Sequence, residues 1–192
     1  MVAAACSIPL DVTIDGIDDS KELNEQQRGA VYDLLVTNPR VSWAVAAVDN
    51  ECIDEINILQ ASMKAMRNAV LGLAGPGPDF VLVDGNRNPW GNPEGKTAKG
   101  GVRPADPAPP PSLRQCYAVV KGDGHVRAIA AASVIAKVHR DRMCLELDAL
   151  YPQYGMAQHK GYPTFAHKSA VAQYGPSPCH RKTFKGVKEH VK

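Results

Sequence analysis

No uninterrupted apolar run in this chain approaches the roughly 20 residues of a membrane-spanning helix, which excludes an integral helical membrane protein. Met1 to Pro9 has neither the basic start nor the long apolar run of a secretion signal, so a cytoplasmic setting is expected, or else an organelle interior. The five cysteines, Cys6, Cys52, Cys116, Cys144 and Cys179, are odd in number and widely scattered. With no close pair among them, a zinc knuckle or a redox motif is not expected, and they read as reduced and mostly structural. No internal repeat is visible, which argues against a solenoid.

The 192 residues, 44% hydrophobic and 22% charged, suit one soluble globular domain spanning 1–192. A net charge of +2 conceals an asymmetry. From about residue 156 to 192 there are seven basic residues (Lys160, Lys168, Arg181, Lys182, Lys185, Lys188, Lys192) against Glu189 alone, a local charge of +6. The remaining chain has fifteen basic against nineteen acidic residues. A basic end beside an acidic body fits a polyanion partner next to carboxylates that hold a metal, although a merely solvated charged end has the same composition.

Strand and helix patterns alternate along the chain. "MVAAACSIPL" reads as a buried strand, and a helix follows in which Asn24 and Gln27 have capping-box spacing and Val31, Leu34 and Leu35 form the buried face. "VSWAVAAVD" is apolar enough to be covered on both faces. In "NECIDEINILQASMKAMRNAVLGL", Ile56, Leu59, Met63, Met66, Val70 and Leu73 recur at helical spacing, which predicts one amphipathic crossover helix. "DFVLVDG" is the third strand. Seven of the fifteen prolines then fall between Pro89 and Pro111, and the stretch from about 89 to 114 reads as a flexible surface insertion. "CYAVVKGD" restores a strand. The longest helical pattern is "HVRAIAAASVIAKVHRDRMCLELDAL", whose alanines allow close approach to a sheet. Thr164 can cap a last helix that Gly175 and Pro176 stop. The alternation argues an α/β layer structure with parallel pairings.

Two of these strands run out on aspartate, "VLVDGN" on Asp84 and "AVVKGD" on Asp123. Ligands of α/β sheets gather beyond the carboxyl ends of strands, so the two carboxylates can meet at one point. Their repulsion then calls for a cation, and hard oxygen donors with spare coordination positions suit magnesium or manganese. Each residue has a plainer reading, Asp84 as a turn former in Asp-Gly-Asn and Asp123 as an N-cap of the following helix.

The blocks "DDSKEL", "DEINILQA", "FVLVDGN", "VVKGD", "IAAASVIAKVHRDR" and "HKGYPTFAH", followed by "YGPSPCHRKTF", come in an order and at spacings that resemble bacterial-type ribonuclease HII. The resemblance covers nearly the whole chain outside the Pro-rich stretch. It implies a ribonuclease H-like fold, a central mixed sheet flanked by helices with a C-terminal helical extension. The implied activity is metal-dependent endonucleolytic cleavage of RNA in RNA–DNA hybrids, and of duplex DNA at embedded ribonucleotides, in replication and repair. Metal-activated water would attack the phosphorus on the 5′ side of the ribonucleotide and leave a 3′-hydroxyl and a 5′-phosphate. Asp84 and Asp123 match two of four carboxylates that hold Mg2+ or Mn2+ in such proteins. Tyr162 matches the tyrosine that lies against the sugar at the RNA–DNA junction, and Lys21 matches a position near the phosphate backbone. Lys121 and Arg181 complete the expected substrate contacts, which add affinity without sequence preference. Tyr162 also suits a half-buried turn aromatic, and Lys21 a solvated helix start. His159, His167 and His180 lack metal-ligand spacing and read as surface or structural residues, and Asp141 reads as a helix salt-bridge partner. The expected partner is nucleic acid, with no membrane, and the expected state is a monomer.

The resemblance also implies a preceding strand with an adjacent Asp-Glu pair and a Gly-Arg-Gly loop, which this sequence does not contain. Asp54-Glu55 does not substitute, because it sits within the helical "DEINILQA" block. Such a strand would be central to the sheet, and without it neighbouring edges lie open. Three expectations follow: an internal methionine at position 1 of a longer active nuclease, a short chain that binds hybrid duplexes without cutting them, or an unproductive fragment that aggregates. A different metal-dependent phosphohydrolase on an α/β sheet would account for Asp84 and Asp123 but not for the ordered blocks.

Overall fold

The fold comes from a computed structural model that describes residues 1–17, 23–91 and 107–191. Its strands are β1 (Val2–Ser7), β2 (Ser42–Ala47), β3 (Phe80–Asp84) and β4 (Gln115–Val119), and its helices are α1 (Glu25–Thr37), α2 (Asn50–Leu71), α3 (Arg127–Leu150), α4 (Met156–His159) and α5 (Phe165–Tyr174). β1 pairs antiparallel with β2, with Val2 opposite Ala47, and β3 pairs parallel with β4, with Asp84 opposite Val119. The two pairs share no strand.

The alternation along β1 assigns its two faces. Ala3 packs with Ala61 and Ala65 of α2, and Ala5 with Ala69 and Val70. Ala4 and Cys6 pack on the opposite face against a cluster built by Val31 and Leu35 of α1 and Ala131, Val134 and Ile135 of α3. Small side chains on β1 and on the facing helix stripes therefore set a close three-layer packing.

Local signals explain the helix ends. Asn24 accepts from the Gln27 amide at 2.9 Å while the Gln27 side chain accepts from the Asn24 amide at 3.0 Å, so both halves of the capping box form. Thr164 caps α5 by accepting from the His167 amide, and α5 ends at Gly175, whose φ of 75° suits glycine.

The second helix differs from the expectation of a single uninterrupted crossover. Asn57 has φ 68° and breaks it, and its Oδ1 accepts from the Leu59 and Gln60 amides, so the second half restarts with its own cap. Of the expected stripe Met63 and Val70 are buried, Val70 against Ala5 of β1, but Ile56, Leu59 and Met66 are only half-buried, and the closest approach to the sheet is made by Ala61, Ala65 and Ala69.

Both ends of the proline-rich stretch are tied down. The buried Arg67 guanidinium donates to the Pro89 carbonyl at 2.7 Å, and Trp90 Nε1 donates to the Pro107 carbonyl at 3.3 Å. Residues 92–106 of the expected insertion, like Lys21, lie outside the described residues.

Candidate active site

β3 is followed at once by the turn that carries Asp84's neighbours, whereas β4 stops short of its aspartate. The "AVVKGD" strand ends at Val119, and Asp123 sits in a single turn of 3-10 helix, Gly122–Gly124. Lys121 enters that turn with φ 56°, a left-handed conformation that reverses the chain. The Asp84 carboxylate reaches across and accepts from the Gly122 amide at 2.8 Å. One hydrogen bond thus brings Asp84 beside Asp123 and the exposed Lys121. The turn can lie this close because Gly122 has no side chain: a Cβ there would stand 2.6 Å from Ile129 Cδ1 and 3.2 Å from Val119 Cβ. Sequence reasoning missed Gly122, and its place directly before the aspartate was the available signal.

Asp123 does not cap α3, whose N-cap is Val126 with no side-chain hydrogen bond. Asp84 is exposed and Asp123 half-buried, so both can meet a solvated cation. Their hard oxygens fit a magnesium-type ion, which binds through one or two carboxylates and keeps several waters. Among the described residues no three His, Cys, Asp or Glu side chains converge to hold a metal.

Asp84 lies at the rim of a cavity of about 590 Å³ between the two strand pairs. β1 and β3 both line it, each with an edge that pairs with no strand among the described residues, and α3 contributes Ala128, Ile129 and Ala132. Phe80 and Leu82 stand beside it 56% and 44% exposed, apolar side chains left without cover.

Tyr162 and Arg181 belong to a second group. Lys160 and Gly161 both have positive φ, and Arg140 of α3 holds the loop by donating to the Lys160 carbonyl at 3.2 Å. The Tyr162 ring is left 65% exposed. Arg181 lies over the Phe184 ring at 4.0 Å and shares with Gly161 and Arg140 a cavity of about 190 Å³. Burial first, and Arg140 next, hold the Arg181 guanidinium below its ordinary value. The backbone after Arg181 is fastened to α2, where the Asp54 carboxylate accepts from the Lys182 and Thr183 amides and the Thr183 hydroxyl. Asp54 is occupied as a structural brace.

Two further expectations meet their surroundings here. Asp141 pairs with Lys137 at 2.8 Å, one turn along α3. All five cysteines are free, and burial pushes the Cys6 thiol up to about 12 and that of Cys116 to about 11, far from reactive thiolates.

The family model described as Ribonuclease HII matches residues 1–187. The chain belongs to the ribonuclease HII family. It is 43% identical over 191 residues to ribonuclease HII of Geobacter sulfurreducens, covering 100% of this chain and 77% of that protein. It is 39% identical over 189 residues to ribonuclease HII of Chlamydia pneumoniae, covering 98% of this chain and 78% of that protein. Among solved structures, ribonuclease H2 from Pyrococcus horikoshii shares the fold with a TM-score of 0.65 at 21% identity, covering 98% of this chain and 96% of that one. The ribonuclease HII in the complex with PCNA from Archaeoglobus fulgidus gives 0.63 at 20% identity, covering 100% and 89%. The chain is accordingly a type 2 ribonuclease H, a nuclease of the hydrolase class, on a ribonuclease HII fold. No helix among the described residues is long and apolar enough to cross a membrane.

Proposed function

We propose that this ribonuclease HII homologue cleaves the RNA strand of RNA–DNA hybrids, and duplex DNA at embedded ribonucleotides, with a divalent cation at Asp84 and Asp123. The observation that carries this reading is the Asp84–Gly122 hydrogen bond, which joins the two carboxylate-bearing segments at the end of the parallel strand pair. Asp84 and Asp123 would hold the ion, magnesium or manganese. When bound, such an ion activates water and balances charge on the attacking and leaving oxygens at phosphorus. Tyr162, exposed on a loop shaped by two residues of positive φ, would lie against the sugar at the junction. Lys121 and Arg181 would contact phosphates, with Lys21 a further phosphate contact, and such contacts position a duplex without reading its sequence.

The edges of β1 and β3, which pair with no strand among the described residues, support a further element of the proposal: in the cutting enzyme a strand lies between them. A strand paired in parallel with the β3 edge would end beside Asp84, where an Asp-Glu pair would complete the set of carboxylates. Where that strand is lacking, the second reading is a hybrid-duplex-binding protein that does not cut, since two carboxylates leave the charge at phosphorus poorly balanced.

Paired binding and cleavage measurements separate the two. A hybrid duplex, a duplex with one ribonucleotide and an all-DNA duplex are each incubated with magnesium or manganese and with a chelator. Metal-dependent cuts on the 5′ side of the ribonucleotide, leaving a 3′-hydroxyl, are expected from the form with a completed sheet. Binding without any cleavage in that form would favour the second reading. Cleavage of simple phosphate monoesters without nucleic acid would favour an unrelated phosphohydrolase.

A further inference from the structure

His159, His167 and His180, separated in sequence, meet beneath the Tyr162 loop, and fixed backbone amides and carbonyls decide their tautomers. The Ser177 amide can only donate, and it points at His180 Nδ1 from 3.1 Å, so that nitrogen accepts, with the Ser177 hydroxyl donating to it at 2.7 Å, and His180 carries its proton on Nε2. That proton faces His167 Nε2 at 3.1 Å, which must then accept, leaving the His167 proton on Nδ1. His167 Nδ1 in turn donates to the Tyr162 carbonyl at 3.0 Å. His159 repeats the logic: its Nδ1 accepts from the Gly161 amide at 3.1 Å and its Nε2 donates to the Tyr154 carbonyl at 2.7 Å. Its ring stacks on His167 with centroids 4.3 Å apart.

The result is a directional path from the buried Ser177 through His180 and His167 to the backbone of Tyr162. A second proton on His167 would set its Nε2–H against that of His180, and one on His180 would set Nδ1–H against the Ser177 amide, with the Ser177 hydroxyl at 2.7 Å the one group there able to turn and accept. The charged groups around His167 and His180 reinforce this, because Arg140 of α3, Lys168 of α5, and Arg181 and Lys185 of the following segment, which share their cavity, are all cations. Tyr154 packs on the His180 ring and Cys179 lies against the Ser177 hydroxyl. Burial first, and His167 next, hold His180 down to about 4, and burial also lowers His167.

We infer that His180 and His167 are positioning residues, a neutral relay that holds the Tyr162 loop in place for the ribonucleotide sugar. This rests on the substrate role proposed above for Tyr162. The relay fixes the peptide of the residue that meets the sugar while leaving its ring free, and it is anchored on a segment that Asn50 holds from α2 by donating to the Pro178 and His180 carbonyls.

The amide side chains of asparagine and glutamine dissect the path. His167→Asn places an N–H near the Nδ1 position and keeps the bond to the Tyr162 carbonyl, whereas His167→Gln reaches only toward His180. With the full chain, affinity for a duplex carrying one ribonucleotide should fall about tenfold in His167→Gln, the weight of one hydrogen bond, and recover in His167→Asn. Tyr162→Ala should show a comparable loss, and its combination with His167→Gln should add little. Nitrogen NMR of the wild-type chain should show the Nδ1–H tautomer for His167 and the Nε2–H tautomer for His180 and His159, with His167 and His180 neutral well below the ordinary histidine range. Other tautomers, or titration of His167 and His180 near 6.5, would overturn the relay itself. If instead the tautomers hold and Tyr162→Ala leaves affinity unchanged, the substrate role of Tyr162 fails and the positioning role falls with it. Equal losses in His167→Asn and His167→Gln would also overturn the positioning role, since a merely structural histidine gives no such split.

Discussion

Replacing Asp84 in two ways separates its structural work from its charge. In Asp84→Ala the buried Gly122 amide loses its acceptor, and an unsatisfied buried donor costs about 1–3 kcal/mol. For a chain of this size each kcal/mol lowers the melting temperature by about 2–4 °C, so a drop of roughly 2–12 °C is expected. Asp84→Asn keeps an oxygen where Oδ1 stood and should lose less than about 1 kcal/mol, because only the charge assistance of that bond disappears. Cation binding should divide the variants differently. A free manganese concentration ten times the Kd stabilises a folded chain by about 1.4 kcal/mol, so the wild type should melt a few degrees higher with the ion, and neither variant should respond. Thermal melting with and without manganese measures both effects. Asn and Ala variants that melt alike would refute the hydrogen-bond reasoning. An Asn variant that keeps the full manganese shift would refute Asp84 as a metal ligand.

Gly122→Ala should destabilise the chain by about 1–3 kcal/mol through overpacking against Ile129 and Val119, seen as a lower urea midpoint, and an unchanged midpoint would contradict the close approach of that turn. Acid should weaken the fold through His180. Its folded-state value of about 4 lies below the ordinary 6.5, so between those values the unfolded chain binds the proton and the folded chain does not. Its contribution is therefore complete above pH 6.5 and is lost as pH falls toward 4, by up to about 3 kcal/mol, and equal urea midpoints at pH 7 and pH 4.5 would be the contrary result. Duplex affinity should fall steeply with salt, with a log–log slope near 0.9 per phosphate contacted, and Arg181→Ala should make that slope shallower. A flat salt response would count against the basic C-terminal part as a duplex contact.

The local signals were legible because their partners are close in sequence. Asn24 with Gln27, Thr164 with the His167 amide, and Gly175 at the end of α5 each act within a single turn. Asp84 and Asp123 were legible as a pair because each closes an apolar run, although β4 ends before its aspartate and the left-handed Lys121 makes the turn. The break at Asn57 was not legible, since apolar spacing runs through it and only the side-chain cap on Leu59 and Gln60 reveals the restart. The alanine stripe of α2 was hidden for a related reason: helical periodicity favours large apolar residues, whereas a close sheet selects small ones. The histidine relay joins three segments through space, and no sequence spacing encodes a contact between His167 and His180 Nε2 atoms. Ordered blocks carried the family and the expectation of open strand edges, but that β1 and β3 bear edges unpaired among the described residues came from strand pairing.

The most direct measurement compares the 192-residue chain with the same chain extended by a strand bearing an Asp-Glu pair and a Gly-Arg-Gly loop, each given duplex DNA with one embedded ribonucleotide. The extended chain should cut on the 5′ side of that ribonucleotide with magnesium or manganese and not with a chelator, and the Asp84→Asn form of it should not cut. The unextended chain should bind the duplex and cut it more slowly than the extended one. Equal cleavage by both chains, or cleavage that survives Asp84→Asn, would contradict a metal site completed by a strand between β1 and β3.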